Sequence, residues 1–107
     1  MDCRTIACTM STATIGLTGE IDLRDYKYFA LEMSTAWTAS PTTVLASAVS
    51  GGTKLPLNYA GAVVSLASSA NQLYDLSTCG LSAVRYIELQ STATQEAERT
   101  LRLICKK

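Results

Sequence analysis

The side chains with the most chemical potential in this sequence are its four cysteines, Cys3, Cys8, Cys79 and Cys105. Structural zinc sites take their ligands from close pairs such as C-x-x-C, because one tight turn can aim two thiolates at one ion. The nearest pair here, Cys3 and Cys8, has an odd offset, which sends the two side chains to opposite faces of a strand. The spacing therefore predicts neither a metal site nor a redox motif.

Two interpretations of the cysteines remain open. They are small apolar core residues in the first, because free cysteine is among the most buried residue types. In the second, some of them form disulfides between subunits or at a terminus. Cys3 and Cys105 lie near the ends of the chain and Cys79 lies in a Ser-Thr-Cys-Gly turn, and such places are exposed as a rule. These bonds would close only after release into an oxidising medium.

The chain contains no histidine, which removes the usual general base and the commonest metal ligand. Carboxylate pairs such as Asp22 with Asp25, or Glu32 with Glu88, are accounted for as solvated groups on strands and loops. We therefore expect no enzymatic activity, no catalytic residue and no cofactor.

Length and charge narrow the class of protein further. The 107 residues suit one domain, spanning residues 1–107. Nine basic and nine acidic side chains give a formal net charge of zero, and the basic residues are scattered rather than clustered. A nucleic-acid partner is not expected without a basic face. No apolar run approaches the roughly 20 residues of a membrane span, and the first residues do not resemble a secretory leader.

Short β-leaning runs alternate with Gly, Ser, Asn and Pro along the whole chain. Phe29, Leu31 and Met33 share one face of such a run, and Ile87 and Leu89 share one face of another. The pattern predicts an all-β fold, a jelly-roll-like antiparallel β-sandwich of about eight short strands, with strand-forming ends and little or no helix. The expected runs are 4–10, 21–23, 28–33, 44–49, 55–57, 62–66, 72–76, 84–90 and 100–105.

Three breaks in the pattern carry further expectations. Ser40-Pro41 is expected to interrupt the chain, because proline withholds a ladder donor. Pro56 places the run 55–57 at a sheet edge, and Gly51-Gly52 supplies a turn. The stretch from Thr92 to Arg99 contains good helix formers but little apolar surface, and we interpret it as a polar loop or a single turn.

Two aromatic residues are candidates for contact with a protein partner or a glycan. Trp37 is the only tryptophan, and it has the flat face that stacks on sugar rings or anchors interfaces. Because tryptophan is highly buried on average, a core position at the end of a strand is the favoured interpretation of Trp37. Tyr59 is the second candidate contact.

The segment from Ile21 to Cys105 resembles small β-sandwich proteins among the virion structural proteins of tailed bacteriophages. In that family an apolar strand ends in "AWT", a later strand reads roughly "LRYIxLxS" and the final strand reads "RTLxL". This sequence has Ala36-Trp37-Thr38, the run from Gly80 to Ser91, and Arg99-Thr100-Leu101-Arg102-Leu103 at those places. The cysteines are not part of the family pattern.

This resemblance implies a capsid decoration or cement protein that stabilises the phage head. Its partners would be the major capsid protein or other virion proteins, and it would be a homo-oligomer, with a trimer favoured by the symmetry of such shells. It would be made in the host cytoplasm, released by lysis and located in the virion. A neck, collar or tail component is the first alternative.

A carbohydrate-binding module for host attachment is the second alternative, because the Arg85-Tyr86-Ile87-Glu88-Leu89 strand also resembles discoidin-type jelly rolls. Those proteins bind sugars at loop tips. This chain is shorter, and its loops hold few aromatic residues.

Overall fold

The computed structural model describes residues 3–11, 16–24, 26–38, 40–59, 61–76, 81, 84–91, 95 and 97–107. Alternating apolar and polar residues form strands in this part of the chain. No α-helix occurs within these ranges, and none of their residues belongs to a helix long and apolar enough to cross a membrane. The strands are β1 (Cys3–Met10), β2 (Gly16–Leu17), β3 (Ile21–Asp22), β4 (Tyr28–Glu32), β5 (Ser40–Ser47), β6 (Leu55–Pro56), β7 (Asn58–Tyr59), β8 (Ala62–Val63), β9 (Ser65–Ser68), β10 (Leu73–Asp75), β11 (Tyr86–Ser91) and β12 (Arg99–Lys106).

Two antiparallel sheets and one small hairpin make up the fold, which confirms the predicted all-β sandwich. The first sheet has the order β1-β12-β4-β10, so the first and last strands of the chain are neighbours. The second sheet has the order β2-β11-β5-β6, with β3 also paired to β11 and β9 also paired to β5. Strands β7 and β8 pair only with each other among the described strands. Every predicted run contains a strand, whereas β2 and β7, of two residues each, were not expected.

The core lies between the inner faces of the two sheets. Phe29, Leu31 and Met33 are buried on β4 or directly after it, and Ile87 and Leu89 are buried on β11, as the alternation predicted. The register of β1 against β12 sets Cys8 opposite Leu101. The other buried apolar residues are Met10, Ile21, Leu23, Trp37, Val44, Val64, Leu76, Leu81, Leu103 and Cys105.

The expectation that Ser40-Pro41 interrupts the chain is wrong, because both residues lie at the start of β5. Pro41 pairs with Ala67 of β9, while the pairing of β5 with β11 begins only at Thr42. The missing proline N–H therefore lies beyond the β11 ladder, at the kind of strand start where proline is tolerated. The turn expected at Gly51-Gly52 is present, and Gly51 has a φ of 74°, which favours glycine.

A buried amide joins the stretch before β12 to the segment after β4. The side chain of Gln95 is 1% exposed, and its Oε1 accepts a hydrogen bond of 2.9 Å from the Thr38 backbone N–H. Its Nε2 donates to the Thr38 carbonyl oxygen at 3.2 Å. One side chain thus satisfies both backbone groups of Thr38, as a neighbouring strand would.

We expect Gln95→Leu to lower the free energy of unfolding by about 2 kcal/mol, because two hydrogen bonds are lost in a largely buried place. Urea unfolding followed by Trp37 fluorescence measures the change. Gln72→Leu is the matched control, since Gln72 is exposed. An equal effect of the two substitutions would contradict the structural role of Gln95.

Candidate assembly surface

Three separate ion pairs within the described residues join loops and strands through Glu20, Asp22 and Glu32. Asp22 accepts a two-pronged pair from Arg85, at 2.9 Å from Nε and 3.1 Å from Nη2, and this hydrogen bonding lowers the pKa of Asp22. Glu32 pairs with Arg102 across β4 and β12 at 3.0 Å. Among the residues that the structure describes, no group of three or more thiol or carboxylate side chains is placed to hold a metal ion.

Glu20 fixes the loop between β5 and β6. Its carboxylate accepts hydrogen bonds of 2.7 Å from Lys54 Nζ, from Ser50 Oγ and from the Gly51 backbone N–H. Lys54 also donates to the Gly52 carbonyl oxygen at 3.2 Å. The hydrogen bond from Lys54, followed by those from Ser50 and Gly51, lowers the pKa of Glu20 to about 2. One carboxylate therefore holds three positions of a glycine-containing loop in place.

The cysteines are distributed between surface and core. Cys3, Cys8 and Cys105 are free thiols, so no disulfide joins any two of these three, and Cys79 lies outside the described residues. Cys3 is exposed, whereas Cys8 and Cys105 are buried. Burial is the main cause that raises the pKa of Cys8 and of Cys105 to about 11. The terminal position of Cys105 does not expose it, because the eight residues of β12 lie between β1 and β4.

The two candidate aromatic contacts have opposite environments. Trp37 is 4% exposed, and its buried Nε1 has no hydrogen-bond partner among the residues that the structure describes. Its ring belongs to the core and offers no open face for a sugar. Tyr59 is 52% exposed and lies at the end of β7.

Tyr59 belongs to a segment of short strands, residues 55–59 and 61–63, which we call the arm. The root of the arm is anchored on β5, because the Leu57 N–H donates to the Val44 carbonyl oxygen at 2.9 Å. The Val44 N–H in turn donates to the Val64 carbonyl oxygen at 3.0 Å, and the Val64 N–H to the Leu57 carbonyl oxygen at 2.7 Å. Beyond this root, β7 and β8 form the small hairpin.

The arm is apolar and exposed at once. Leu55 is 65% exposed and Val63 is 48% exposed, and Val49 in the preceding loop is also exposed. Leu55 additionally lines an open pocket of about 500 Å³ together with Ala46, Ala48 and Val84. Contiguous exposed apolar patches are typical of interaction sites in proteins.

Tyr59 is the one residue of the arm that was a candidate contact from the sequence. Leu55, Val63 and Leu57 were interpreted as ordinary strand residues. The signal in the sequence was the density of turn residues around them, Pro56, Asn58 and Gly61. That density shortens the strands to two residues, too short to bury a face.

The comparisons with known proteins concern the fold. No protein-family model matches this sequence, and no curated protein is significantly similar to it. The chain is similar to the crystal structure of the SPBc2 prophage-derived protein YomS, with a TM-score of 0.54 and 12% sequence identity. The match covers 98% of this chain and 95% of that chain. At this identity the two chains share a fold, and the similarity shows nothing about role.

The environments of the thiols set their reactivity, because the thiolate is the reactive form. We expect a maleimide reagent to label Cys3 in the folded protein, and to label Cys8 and Cys105 only after unfolding. Mass spectrometry of the cysteine peptides before and after urea treatment measures this. Labelling of Cys105 in the folded protein at the rate of Cys3 would contradict the placement of Cys105.

The loop anchored by Glu20 has a characteristic pH dependence. A carboxyl whose pKa is lower in the folded state stabilises the fold above its unfolded pKa, and this stabilisation is lost as the pH falls through the folded pKa. We expect Glu20→Gln to reduce stability at pH 7. The difference from the unsubstituted protein should shrink as the pH falls from 4.5 towards 2.

Urea midpoints at several pH values within that range measure the difference. Glu98→Gln is the matched control, because exposed Glu98 forms no ion pair with the described part of the chain. A difference between Glu20→Gln and the unsubstituted protein that is as large at pH 2 as at pH 7 would contradict the assignment.

Proposed function

We propose that this chain is a non-catalytic structural protein of a tailed-bacteriophage virion, a capsid decoration or cement protein that docks on the major capsid protein. The observation that carries the proposal is the arm, an anchored segment that presents Leu55, Tyr59 and Val63 to solvent. The virion-family sequence patterns around Trp37 and in β11 and β12 support the phage assignment. The prophage origin of YomS, which shares the fold, supports it as well.

Docking through the arm uses the physics of ordinary protein interfaces. Tyrosine and apolar side chains at the centre of a contact lose water and contribute most of the binding energy. The root bonds to Val44 fix where the arm leaves the sandwich, which reduces the entropy lost on docking. With a formal net charge of zero, the chain also experiences little long-range repulsion when many copies pack on one shell.

The number of copies in each particle tests the location. Quantitative mass spectrometry of purified virions should give a copy number in fixed proportion to the major capsid protein. A few copies per particle would overturn the decoration role in favour of a neck, collar or tail component. Absence from purified particles would overturn the virion assignment itself.

Replacing Tyr59 tests the docking element. We expect Tyr59→Ala to weaken binding to particles assembled without this protein by about 30-fold, which corresponds to about 2 kcal/mol for an interface anchor. Tyr28→Ala is the matched control, because Tyr28 is 53% exposed but lies on β4 of the other sheet. Sedimentation of particles with bound protein measures both affinities. Equal weakening by the two substitutions would exclude a specific role for the arm.

A further inference from the structure

One border of the first sheet differs from every other border in the described chain. Proteins blunt exposed sheet edges by keeping the outermost strands short, because unpaired N–H and C=O groups pair readily with another chain. The outermost strands β2, β6 and β10 have two, two and three residues, and β9 has four. Strand β1 has eight residues, and β12 is its only partner among the described strands.

The backbone hydrogen bonds of the first sheet determine which N–H and C=O groups of β1 are open. The Met33 N–H donates to Gln72 and the Leu76 N–H donates to the Phe29 carbonyl oxygen, so the odd-numbered residues of β4 bond towards β10. Bonding alternates along an antiparallel strand, so even-numbered residues of β4 bond to β12. Those residues of β4 face the even-numbered residues of β12, so the odd-numbered residues of β12 bond to β1. The partners of these odd-numbered residues on β1 are even-numbered.

It follows that Arg4, Ile6 and Cys8 bond to β12. The residues of β1 that alternate with them point their N–H and C=O groups away from the sheet. We call these outward residues the β1 edge: Cys3, Thr5, Ala7 and Thr9. Their side chains are all exposed.

The four residues of the β1 edge lack two of the features that protect sheet borders, proline and charge. They are small or β-branched. The only charged residue of β1 is Arg4, whose side chain lies on the face opposite to that of the β1 edge residues. Ile6 lies on the same face as Arg4 and is only partly buried. A second strand beside β1 would cover Ile6 and satisfy the open backbone groups together.

We propose that β1 pairs antiparallel with β1 of a second copy of this chain, around a two-fold axis at Ile6. Self-pairing matches the strand with one of equal length, which none of the short outermost strands provides. This register sets Thr5 opposite Ala7 of the second copy and Arg4 opposite Cys8 of the second copy. Moving the axis to Arg4 would place the two guanidinium groups opposite each other, which is destabilising.

The resulting dimer joins the two first sheets into one continuous sheet. It goes beyond the proposed docking role, because the arm is anchored on β5 of the second sheet and this pairing involves only the first sheet. A two-fold pair differs from the trimer expected from shell symmetry, so the measured mass distinguishes the two assemblies. The purified protein is sufficient for the test, and its outcome is independent of virion binding.

Ala7→Pro tests the pairing directly. The Ala7 N–H points away from β12, so proline removes no bond within the subunit but deletes one donor from the edge. Light scattering after size exclusion should give a dimer for the unsubstituted protein and a monomer for Ala7→Pro, with an unchanged circular dichroism spectrum. Ala7→Ser, which keeps the N–H, should remain a dimer. A monomeric or trimeric unsubstituted protein would overturn the proposal.

A disulfide trap tests the register and does not depend on how proline is tolerated. In a background with Cys3→Ser and Cys79→Ser, Ile6→Cys should cross-link to a dimer under mild oxidation, because facing non-hydrogen-bonded residues lie close enough. Thr5→Cys in the same background should cross-link at least tenfold more slowly, since it faces Ala7. Equal rates for both variants, or no cross-link for Ile6→Cys, would overturn the pairing. Non-reducing gels give the rates.

Discussion

The pairing of β1 with β12 is the interaction on which the rest of the molecule depends. It runs through eight residues of each strand and brings the first and last strands together at one side of the sandwich. The same register puts Cys8 and Leu101 into the core and leaves alternate residues of β1 facing solvent. Because β12 lies between β1 and β4, it has no open edge, and the border of the sheet falls on β1.

The second sheet concentrates short strands, loops and exposed apolar side chains. Its central strands β5 and β11 are long and paired on both sides, and the segments around them have two to four residues. Polar contacts stabilise these outer segments. Glu20 accepts a hydrogen bond from the loop after β5, and the buried hydroxyls of Thr42 and Ser68 hydrogen bond to each other at 2.8 Å. The arm leaves the sheet at a place that is fixed by Leu57 and Val44. A sandwich held by these contacts, with an exposed apolar extension, suits the proposed docking role.

The elements of the fold could be predicted because alternation is a local signal. Phe29, Leu31 and Met33, or Ile87 and Leu89, identify a strand and its buried face without any knowledge of neighbours. The partners of the strands could not be predicted, since they depend on approach between distant segments. Gln95 bonds Thr38 from 57 positions away, and nothing near Gln95 in the sequence distinguishes it from a solvated loop residue. The proline at position 41 was misinterpreted for a related reason, because its tolerance depends on where the β11 ladder ends.

The candidate surface was predictable only in part. The exposure of Tyr59 follows from the turn residues that shorten β7 and β8, whereas the burial of Trp37 follows from packing between the sheets.

The most direct test of the account is photo-cross-linking in intact virions, with Tyr59 replaced by a benzophenone-bearing amino acid. The account predicts cross-links from position 59 to the major capsid protein. Cross-links confined to neck or tail proteins, or none to any virion protein, would contradict it.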